Sequence, residues 1–524
     1  MTLSALRFHA GMTNPTACRP RSRPATEARL ERCAKCRPYA GPRAGNGGGL
    51  SCDRGQPSGG APFRSAAQLA PSTRRVRAGV PSGRAPVRGV GGPHGLSGLD
   101  NGYNLLETAF APVNGGAGGL RRLAEAVRRE LRDTQLALAA EGAMLINAAE
   151  HPAASLDADW YRRVRVPRPI YEELVGQRGW LHRIGIDAKA QNSPCTSVPV
   201  AIAARCLNVV LALAPAQIAM FANSPLEAGR VTGLKENRLT LWPRMFRGAR
   251  YLGDDLLHRL PARPFRDLGD YFRWMFGGLT ASRALPPGDA CDYKNADVAC
   301  LVGAPSLAEF LYAGAWSARN LNDGGSVRLA ARSEHFVYSQ FAQFLDARWR
   351  YRMPIVPALP ALLRAWDRQG GLEALFEQAG AQGYIEGRAP GAVFADADLL
   401  SSAGDAVAAS APMAASALQL GLLRNLHDAE ALVRRWGWLR LRALRDRAIA
   451  LALDDAQVRC LCQQVVAVAE GGLAGDEQQW LDYVRYVVET GETAADRMLR
   501  LWRQARGTPE MRRAQACRQR AVLS

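Results

Sequence analysis

Lysine is almost absent from this 524-residue chain, which has four lysines among its 67 basic residues. Long apolar runs are missing too, and without 18 consecutive apolar residues no transmembrane helix is predicted. The first residues, MTLSALRFHAGM, contain no hydrophobic stretch with a cleavage site, so a secretory signal is not expected. The 11 cysteines are scattered and odd in number, which indicates reduced thiols in the cytoplasm.

Isoleucine and tryptophan are missing from residues 1–97, which contain 11 of the 31 prolines. This segment has 16 basic and 3 acidic residues, so it carries most of the net charge of +19, and the rest of the chain carries +6. Such a composition cannot bury enough apolar surface to offset the chain entropy lost on folding. The sequence therefore predicts that residues 1–97 are disordered.

Three explanations remain open for this basic segment: a nucleic-acid-binding tail, a linker, or an out-of-frame translation of GC-rich DNA. Few aromatic residues, such as Tyr39 and Phe63, lie between the arginines, which argues against nucleic acid as a partner. Cys33 and Cys36 form a CxxC pair, but the second pair of a zinc ribbon is missing. We expect no metal site here.

The most informative stretch is GYIEGRAP, residues 383–390. In a strand, side chains alternate between the two faces, so Tyr384, Glu386 and Arg388 would share one face. A carboxylate suits a hard cation, and a guanidinium group suits a planar anion. The stretch predicts either a site for a metal ion and phosphate oxygens or an exposed ion pair on an edge strand.

Two acidic residues flank a turn in LDNGYNLLETAFAP. The DNG turn is followed by an apolar run that reads as a strand and contains Glu107. Asp100 precedes Glu107 by seven residues across the turn, so both carboxylates could face one cation. Residues 120–140 then have apolar residues at helical spacing, which predicts an amphipathic helix.

Residues 180–191, WLHRIGIDAKAQ, alternate between apolar and polar residues. This pattern predicts a strand with Asp187, Lys189 and Gln191 on one face, which lines a polar cleft or faces solvent. Thr196 or Ser197 is the predicted N-cap of an apolar helix that continues to residue 213.

A loop is predicted over residues 222–242, ANSPLEAGRVTGLKENRLTLW, because Asn, Ser, Pro and Gly recur in it. Asn223 opens this loop. Arg230 and Arg238 could clamp a carboxylate or a phosphate, or they could be solvated. From residue 411 onward the apolar spacing is helical.

In their order, these motifs resemble the glutamate–cysteine ligase (γ-glutamylcysteine synthetase) family. ANSPLEAGRVTG is similar to the NSP loop of the family, GYIEGRAP to its strand with a metal-binding Glu and a phosphate-contacting Arg, and LDNGYNLLETAFAP to a segment whose acidic pair faces the metal cluster. The resemblance covers about residues 98–504.

The resemblance implies an α+β fold with a glutamine-synthetase-like, curved and mostly antiparallel sheet flanked by helices. A catalytic domain would span residues 98–410, and a helical C-terminal region, residues 411–524, would pack on it. It also implies ATP and Mg²⁺ as cofactors, glutamate and cysteine as substrates, and no membrane partner.

By matching positions, the resemblance assigns metal binding to Glu386, Glu107 and Asp100. It makes Arg388 the catalytic phosphate contact. Substrate or phosphate binding falls to the set Arg230, Arg238, Asn223 and Gln191. Asp187 and Gln191 lie where the family often has a metal-facing His.

One family feature is missing: residues 1–97 contain no strand of the GxExE type, which supplies further metal-binding glutamates. Glu27 and Glu31 have the wrong spacing. Together with the change of composition near residue 98, this predicts that the N-terminal strand was lost to a frame change or a misplaced start. Translation of the upstream DNA in the other two frames would test this hypothesis, which fails if neither frame encodes a GxExE strand. A ligase for another amine and an inactive relative remain open.

Overall fold

The structure is a computed structural model that describes residues 2–3, 6–13, 89–92, 95–140, 142–277, 284–288, 297–303, 305–341 and 343–523. Most of the segment predicted to be disordered, including Cys33 and Cys36, lies outside the described residues. Within that segment, Thr2–Leu3, Leu6–Thr13 and Gly89–Gly92 form strands, which differs from the prediction for those residues.

The strands are β1 (Thr2–Leu3), β2 (Leu6–Thr13), β3 (Gly89–Gly92), β4 (Gly95–Leu99), β5 (Leu106–Phe110), β6 (Val113–Asn114), β7 (Met144–Leu145), β8 (Asn192–Val198), β9 (Leu226–Glu227), β10 (Arg230–Val231), β11 (Ala284–Leu285), β12 (Ala299–Leu301), β13 (Ala315–Asn320), β14 (Ser326–Ala330), β15 (Ala347–Arg352) and β16 (Gln382–Gly387). In the described residues the main sheet has eight strands, in the order β15-β16-β8-β2-β5-β4-β3, with β6 paired to β2. A separate antiparallel sheet has the order β11-β12-β13-β14.

The centre of the main sheet is parallel, although the sheet as a whole is mostly antiparallel. Strand β2 lies between β5 and β8 and runs parallel to both. The pairs β15–β16, β16–β8, β5–β4 and β4–β3 are antiparallel. The sequence of β2, LRFHAGMT, contains no Asp or Glu. The central strand therefore brings no carboxylate to the sheet.

The helices are α1 (Gly119–Ala139), α2 (Ala158–Val164), α3 (Pro169–Tyr171), α4 (Ala203–Ala212), α5 (Ala214–Met220), α6 (Leu241–Met245), α7 (Leu268–Phe276), α8 (Leu307–Ala313), α9 (Ser333–Tyr338), α10 (Leu359–Trp366), α11 (Gly371–Gln378), α12 (Ala397–Ser410), α13 (Ala414–Arg424), α14 (Leu426–Trp436), α15 (Trp438–Leu451), α16 (Ala456–Gly471), α17 (Asp482–Thr490), α18 (Ala494–Gln504) and α19 (Pro509–Gln519). The mixture of helices and strands confirms the α+β class. Among the described residues, no single helix is both long enough and apolar enough to span a membrane.

One face of the main sheet is covered by helices because its side chains are apolar. Trp349 on β15 and Ile385 on β16 are fully buried in the core. Helix α13 crosses this face, and the side chain of its Gln419 donates hydrogen bonds to the carbonyl oxygens of Pro194 and Ile385, at 3.1 and 3.0 Å. Since side chains alternate along a strand, the other face of the sheet receives the polar residues.

The helix that covers the sheet is itself held at close range by a helix behind it. A Cβ atom on Gly421 of α13 would lie 2.2 Å from the carbonyl oxygen of Ala469 on α16, and one on Gly472 would lie 2.0 Å from the carbonyl oxygen of Gly421. The two backbones therefore touch, and neither glycine can gain a side chain without moving a helix.

We expect Gly421→Ala to lower the free energy of unfolding by about 1–3 kcal/mol, because the added methyl group forces the helices apart. Urea denaturation measures this change. Gly475→Ala is the matched control, since a Cβ atom there meets nothing within 4 Å. Equal stability of the two variants would contradict the close contact.

The predicted strand over residues 180–191 is wrong. His182–Ile184 and Ile186–Ala188 form short 3-10 turns joined at Gly185, whose φ of 104° is in the left-handed region. The strand comes later, as β8, and it includes Thr196 and Ser197, which were predicted to cap a helix. The helix α4 therefore begins at Ala203, after a turn over Val200–Ile202.

Candidate functional site

The polar face of the main sheet carries a row of charged side chains on neighbouring strands. Arg348 on β15 pairs across the sheet with Glu386 on β16, and Glu386 pairs with Cys195 on β8. Directly opposed residues project from the same face, so the three side chains lie side by side. We call this row, with Arg388 just beyond the end of β16, the charged row.

Glu386 is buried between two arginines. Its Oε2 atom accepts a hydrogen bond of 2.8 Å from Nε of Arg348, and its Oε1 atom lies 3.6 Å from Nη1 of Arg388. Strand β16 has a partner on each side, so the pair is not on an edge strand. The prediction of an exposed ion pair on an edge strand is therefore wrong, and the strand with Glu386 on a charged face is confirmed.

Arg388 is fixed through both its side chain and its backbone. Its guanidinium carbon lies 5.7 Å from the ring centre of Trp242 and 5.8 Å from that of Phe344, which is the range of a cation–π contact. Its backbone N–H donates to the carbonyl oxygen of Asp346, at 2.8 Å. The aromatic rings cover the guanidinium group, so a charge here is partly shielded from water.

Asp346 is held in turn by the C-terminal helices. Nε and Nη2 of Arg445, on α15, donate to its two carboxylate oxygens at 2.5 and 2.8 Å. Burial opposes ionisation of Asp346, but Arg445 outweighs it, so the pKa of Asp346 is lowered. This bidentate pair ties the helical region to the backbone of Arg388.

Charged side chains around Cys195 influence the pKa of its thiol. Burial raises the pKa of its thiol well above the usual value, and Glu386 and Glu107 raise it further, whereas Arg348 and Arg350 oppose them. Glu107 lies on β5, two strands beyond Cys195 in the sheet order, with β2 between them. Glu107 therefore lies on the same face of the sheet as Glu386, three strands away and level with Arg7 of β2 rather than with Gly11.

Arg238 joins the loop to the end of β16. Its Nε atom donates to Glu236 at 2.7 Å, and its Nη2 atom donates to the carbonyl oxygen of Ala389 at 2.6 Å. Its Nη1 atom donates to Oε1 of Gln191 at 3.2 Å, so these two predicted residues are in contact. Both are buried. Their hydrogen bonds orient the chain after Arg388.

Asn223 is buried and its polar atoms are bonded within the protein. Its Nδ2 atom donates to Oδ1 of Asn147 at 2.9 Å and to the carbonyl oxygen of Ala392 at 2.7 Å. Its backbone N–H donates to Glu236 at 2.8 Å. Asn223 therefore holds the loop against the segment that follows β16.

Arg230 lies on the surface instead. It is exposed on the short strand β10, which pairs only with β9 among the described strands. The structure does not bring it into contact with the charged row. Asp100, the residue after β4, is buried and helps to raise the pKa of Asp187.

The sequence reasoning missed Arg348 and Arg350, although a signal for them exists. ARWRYR, residues 347–352, alternates arginine with aromatic residues, which is the period of a strand with one charged and one buried face. The structure confirms this pattern, since Trp349 and Tyr351 are buried in the core.

The described residues contain no group of three or more His, Cys, Asp and Glu side chains that could hold a metal ion. Two predicted ligands, Glu386 and Glu107, lie on the polar face. The negative charge of Glu386 is balanced by Arg348 and Arg388. Mg²⁺ commonly takes one or two protein carboxylates and completes its shell with water and substrate phosphates.

Through Cys195, Glu386 is level with Gly11 of β2, whereas Glu107 is opposite Arg7, so the two carboxylates are on the same face but are not adjacent. Each fits a magnesium ion that takes one protein carboxylate and completes its shell with water and phosphates.

Asp187 is fully buried, and neither of its carboxylate oxygens has a hydrogen-bond partner within the described residues. Burial raises the pKa of Asp187 to about 7, Lys189 opposes this rise, and Asp100 adds to it. Since the unfolded value is about 3.9, the folded state binds this proton more tightly than the unfolded chain. The stabilisation is complete below pH ~4 and is lost as the pH rises to 7.

We therefore expect Asp187→Asn to remove this pH dependence. The variant should match the wild type near pH 4 and should be more stable than the wild type at pH 8. Urea midpoints measured across this range test it, with Asp446→Asn as the exposed control. A constant difference between Asp187→Asn and the wild type at every pH would rule out a raised pKa.

Residues 88–254 match the family model of glutamate-cysteine ligase family 2 (GCS2). The matched region is about a third of the chain and contains Asp100, Glu107, Gln191, Asn223 and Arg238. Glu386, Arg388 and the C-terminal helices lie outside it. No curated protein matches the chain. The match confirms the resemblance over residues 88–254, which include LDNGYNLLETAFAP and ANSPLEAGRVTG, and it supports a relation of this region to the glutamate–cysteine ligase family.

Proposed function

We propose that the chain joins the γ-carboxylate of L-glutamate to the amine of L-cysteine at the expense of ATP, the first step of glutathione biosynthesis. The family match supports the coarser statement that the chain is a carboxylate–amine ligase. The observation that carries the finer proposal is the charged row, in which two arginines flank one buried carboxylate on an interior strand.

The proposed reaction requires positively charged side chains next to the transferred phosphoryl group. A carboxylate is a poor acyl donor, so an oxygen of the γ-carboxylate first attacks the terminal phosphorus of ATP, and the bond to ADP breaks. The cysteine amine then attacks the γ-glutamyl phosphate, an amide bond forms, and phosphate leaves while the amine loses a proton. Phosphoryl transfer depends mainly on the positioning of the reactants and on neutralisation of negative charge.

In this proposal Arg388 contacts the transferring phosphoryl group. Trp242 and Phe344 keep water from part of its guanidinium group, which strengthens its attraction for an anion. Glu386 orients Arg388 and Arg348, so that both are in place before the substrate binds. Gln191 and Arg238 contact each other next to this point and complete the binding surface for substrate or phosphate.

ATP and Mg²⁺ belong to the proposal as cofactors. By resemblance, Glu386, Glu107 and Asp100 would be ligands of Mg²⁺, together with the phosphates of ATP. When bound, Mg²⁺ supplies neutralisation of phosphate charge. The proposal includes a glutamine-synthetase-like sheet, whose polar face would bind the substrates, a cytoplasmic location, and small molecules rather than nucleic acid as partners.

A second candidate is an inactive relative. The observation that favours it is the central strand β2, whose sequence has no carboxylate and whose register puts Gly11 opposite Cys195 and Arg7 opposite Glu107. A metal site short of ligands would bind MgATP weakly. A ligase for another amine would keep the same charged row and would differ only in its acceptor pocket.

The test is ADP release by the full-length chain with Mg²⁺, ATP and glutamate, with and without cysteine and with other amino acids in its place. Cysteine-dependent release supports the proposal. Release that depends on another amine assigns a different acceptor. A folded chain that releases no ADP with any amine supports the inactive relative.

A further inference from the structure

A second row of polar side chains lies beside the charged row, on the same face of the main sheet. Arg350 on β15 is opposed to Tyr384 on β16, and Tyr384 is opposed to Ser197 on β8. Each of the three is two residues along its strand from a member of the charged row, so their side chains project from the same face. We call Arg350, Tyr384 and Ser197 the second row.

The side chains of the second row are accessible to a ligand. All three are half-buried, whereas Glu386 and Cys195 in the charged row are buried. None of the three side chains forms a hydrogen bond or an ion pair with another residue in the part of the chain that the structure describes. The second row therefore presents one guanidinium group and two hydroxyl groups whose donors are available.

The charges of the two rows favour an anion. Glu386 is the carboxylate of the charged row, and Arg348 and Arg388 already balance it. Arg350 adds a positive charge that no carboxylate in either row offsets. Burial raises the pKa of Tyr384, so its hydroxyl stays protonated and can donate a hydrogen bond. A guanidinium group binds a planar carboxylate through two parallel hydrogen bonds, and a hydroxyl group can add another.

The spacing of the two rows matches an amino acid with two carboxylates. Residues two apart in a strand are about 6.6 Å apart. The two carboxyl carbons of extended glutamate are separated by four carbon–carbon bonds and lie about 5 Å apart. A glutamate whose γ-carboxylate lies at the charged row can therefore reach the second row with its α-carboxylate.

We propose that the second row binds the α-carboxylate of glutamate, with Arg350 as the main contact and the hydroxyl groups of Tyr384 and Ser197 as further donors. The inference rests on the proposed function, because it places the γ-carboxylate at the charged row. It makes Arg350 a residue that determines substrate specificity, since an acid without the α-carboxylate lacks this contact. The phosphates of ATP are the other anions that could bind here, and the test separates the two.

The test is isothermal titration calorimetry of the full-length chain with L-glutamate, in the presence of Mg²⁺ and adenylyl imidodiphosphate. Arg350→Gln should raise the Kd for glutamate at least ~10-fold, because a charge-assisted hydrogen bond is lost. The Kd for adenylyl imidodiphosphate, from a separate titration, should not change. Arg328→Gln, an exposed position on β14 in the separate sheet, has the same change of charge and should bind glutamate as the wild type does.

A ligand without the α-carboxylate identifies the group that Arg350 contacts. 4-Aminobutyrate keeps the amine and the other carboxylate, and it should bind the wild type at least ~10-fold more weakly than glutamate does. Arg350→Gln should leave the Kd for 4-aminobutyrate unchanged. Tyr384→Phe is a second variant that removes only a hydroxyl group, and it should raise the Kd for glutamate about 3-fold.

Three results would overturn the proposal: a wild-type chain that does not bind glutamate, an unchanged Kd for glutamate in Arg350→Gln, or a loss of affinity in that variant for 4-aminobutyrate or the ATP analogue instead. Binding is measured without turnover, so the proposed function can fail separately. A chain that binds glutamate through Arg350 but releases no ADP would contradict the ligase and not the second row. Cysteine-dependent ADP release with an unchanged Kd in Arg350→Gln would contradict only the second row.

Discussion

Glu386→Gln is expected to lower the amine-dependent rate of ADP formation at least ~100-fold, because the charged row loses the group that orients its arginines. The carboxylate of Glu386 accepts from Nε of Arg348 at 2.8 Å and lies 3.6 Å from Arg388. A glutamine keeps the shape but removes the charge, so the guanidinium groups repel each other without compensation. Any contact of the carboxylate with the cation of MgATP is lost as well.

Steady-state assays of Glu386→Gln should separate kcat from KM for ATP. A loss of phosphoryl transfer lowers kcat, whereas loss of binding alone raises KM. Glu377→Gln, an exposed position on α11, is the matched control and should keep full activity. If Glu386→Gln keeps its fold and its wild-type kcat, the charged row is not the site of phosphoryl transfer.

Arg520→Met is expected to lower the free energy of unfolding by about 3–5 kcal/mol, because it leaves a buried charge without its partner. Asp396 and Arg520 are both fully buried and their side chains lie 2.8 Å apart. Nη2 of Arg520 also donates to Asn223 and to the carbonyl oxygen of Asn147, at 2.7 and 2.9 Å. The change breaks all of these contacts at once.

Equilibrium denaturation in urea measures this effect. Arg518→Met, an exposed position on α19 two residues before Arg520, has the same change of charge and should be close to the wild type. A second, early transition in Arg520→Met would show that the C-terminal helices detach before the sheet unfolds. Equal stability of the two variants would show that the buried pair contributes nothing.

The residues that share a face of one strand could be predicted from the sequence, whereas the contacts between distant parts of the chain could not. Alternation in GYIEGRAP predicts that Tyr384 and Glu386 share a face, and the strand Gln382–Gly387 confirms it. Whether that strand is interior depends on β15 and β8, which come from distant parts of the chain. No local pattern specifies strand order, so the choice between an edge pair and a buried pair stayed open.

The alternation of polar and apolar residues gave a wrong prediction where a glycine allows a sharp turn. Residues 180–191 have the period of a strand, but Gly185 adopts a left-handed conformation that only a residue without Cβ adopts easily. A Cβ atom there would also lie 2.5 Å from the side chain of Leu156. The chain therefore turns at Gly185, and the polar residues Asp187 and Lys189 become buried rather than lining a strand.

The contacts of the C-terminal region show the same limit. Arg445 and Asp346 are 99 residues apart, and Arg520 and Asn223 are 297 residues apart. Helical spacing predicts that these helices exist, but it carries no information about the charge that each helix meets. Their role in holding Arg388 and the loop became visible only in the fold.

The central claim is that the carboxylate of glutamate is activated as a phosphate ester on the polar face of the sheet. Glutamate labelled with ¹⁸O in its γ-carboxylate, incubated with ATP, Mg²⁺, cysteine and the full-length chain, tests it most directly. The account predicts that one labelled oxygen per turnover appears in inorganic phosphate. Formation of the amide with unlabelled phosphate, or phosphate release without any amide product, would contradict it.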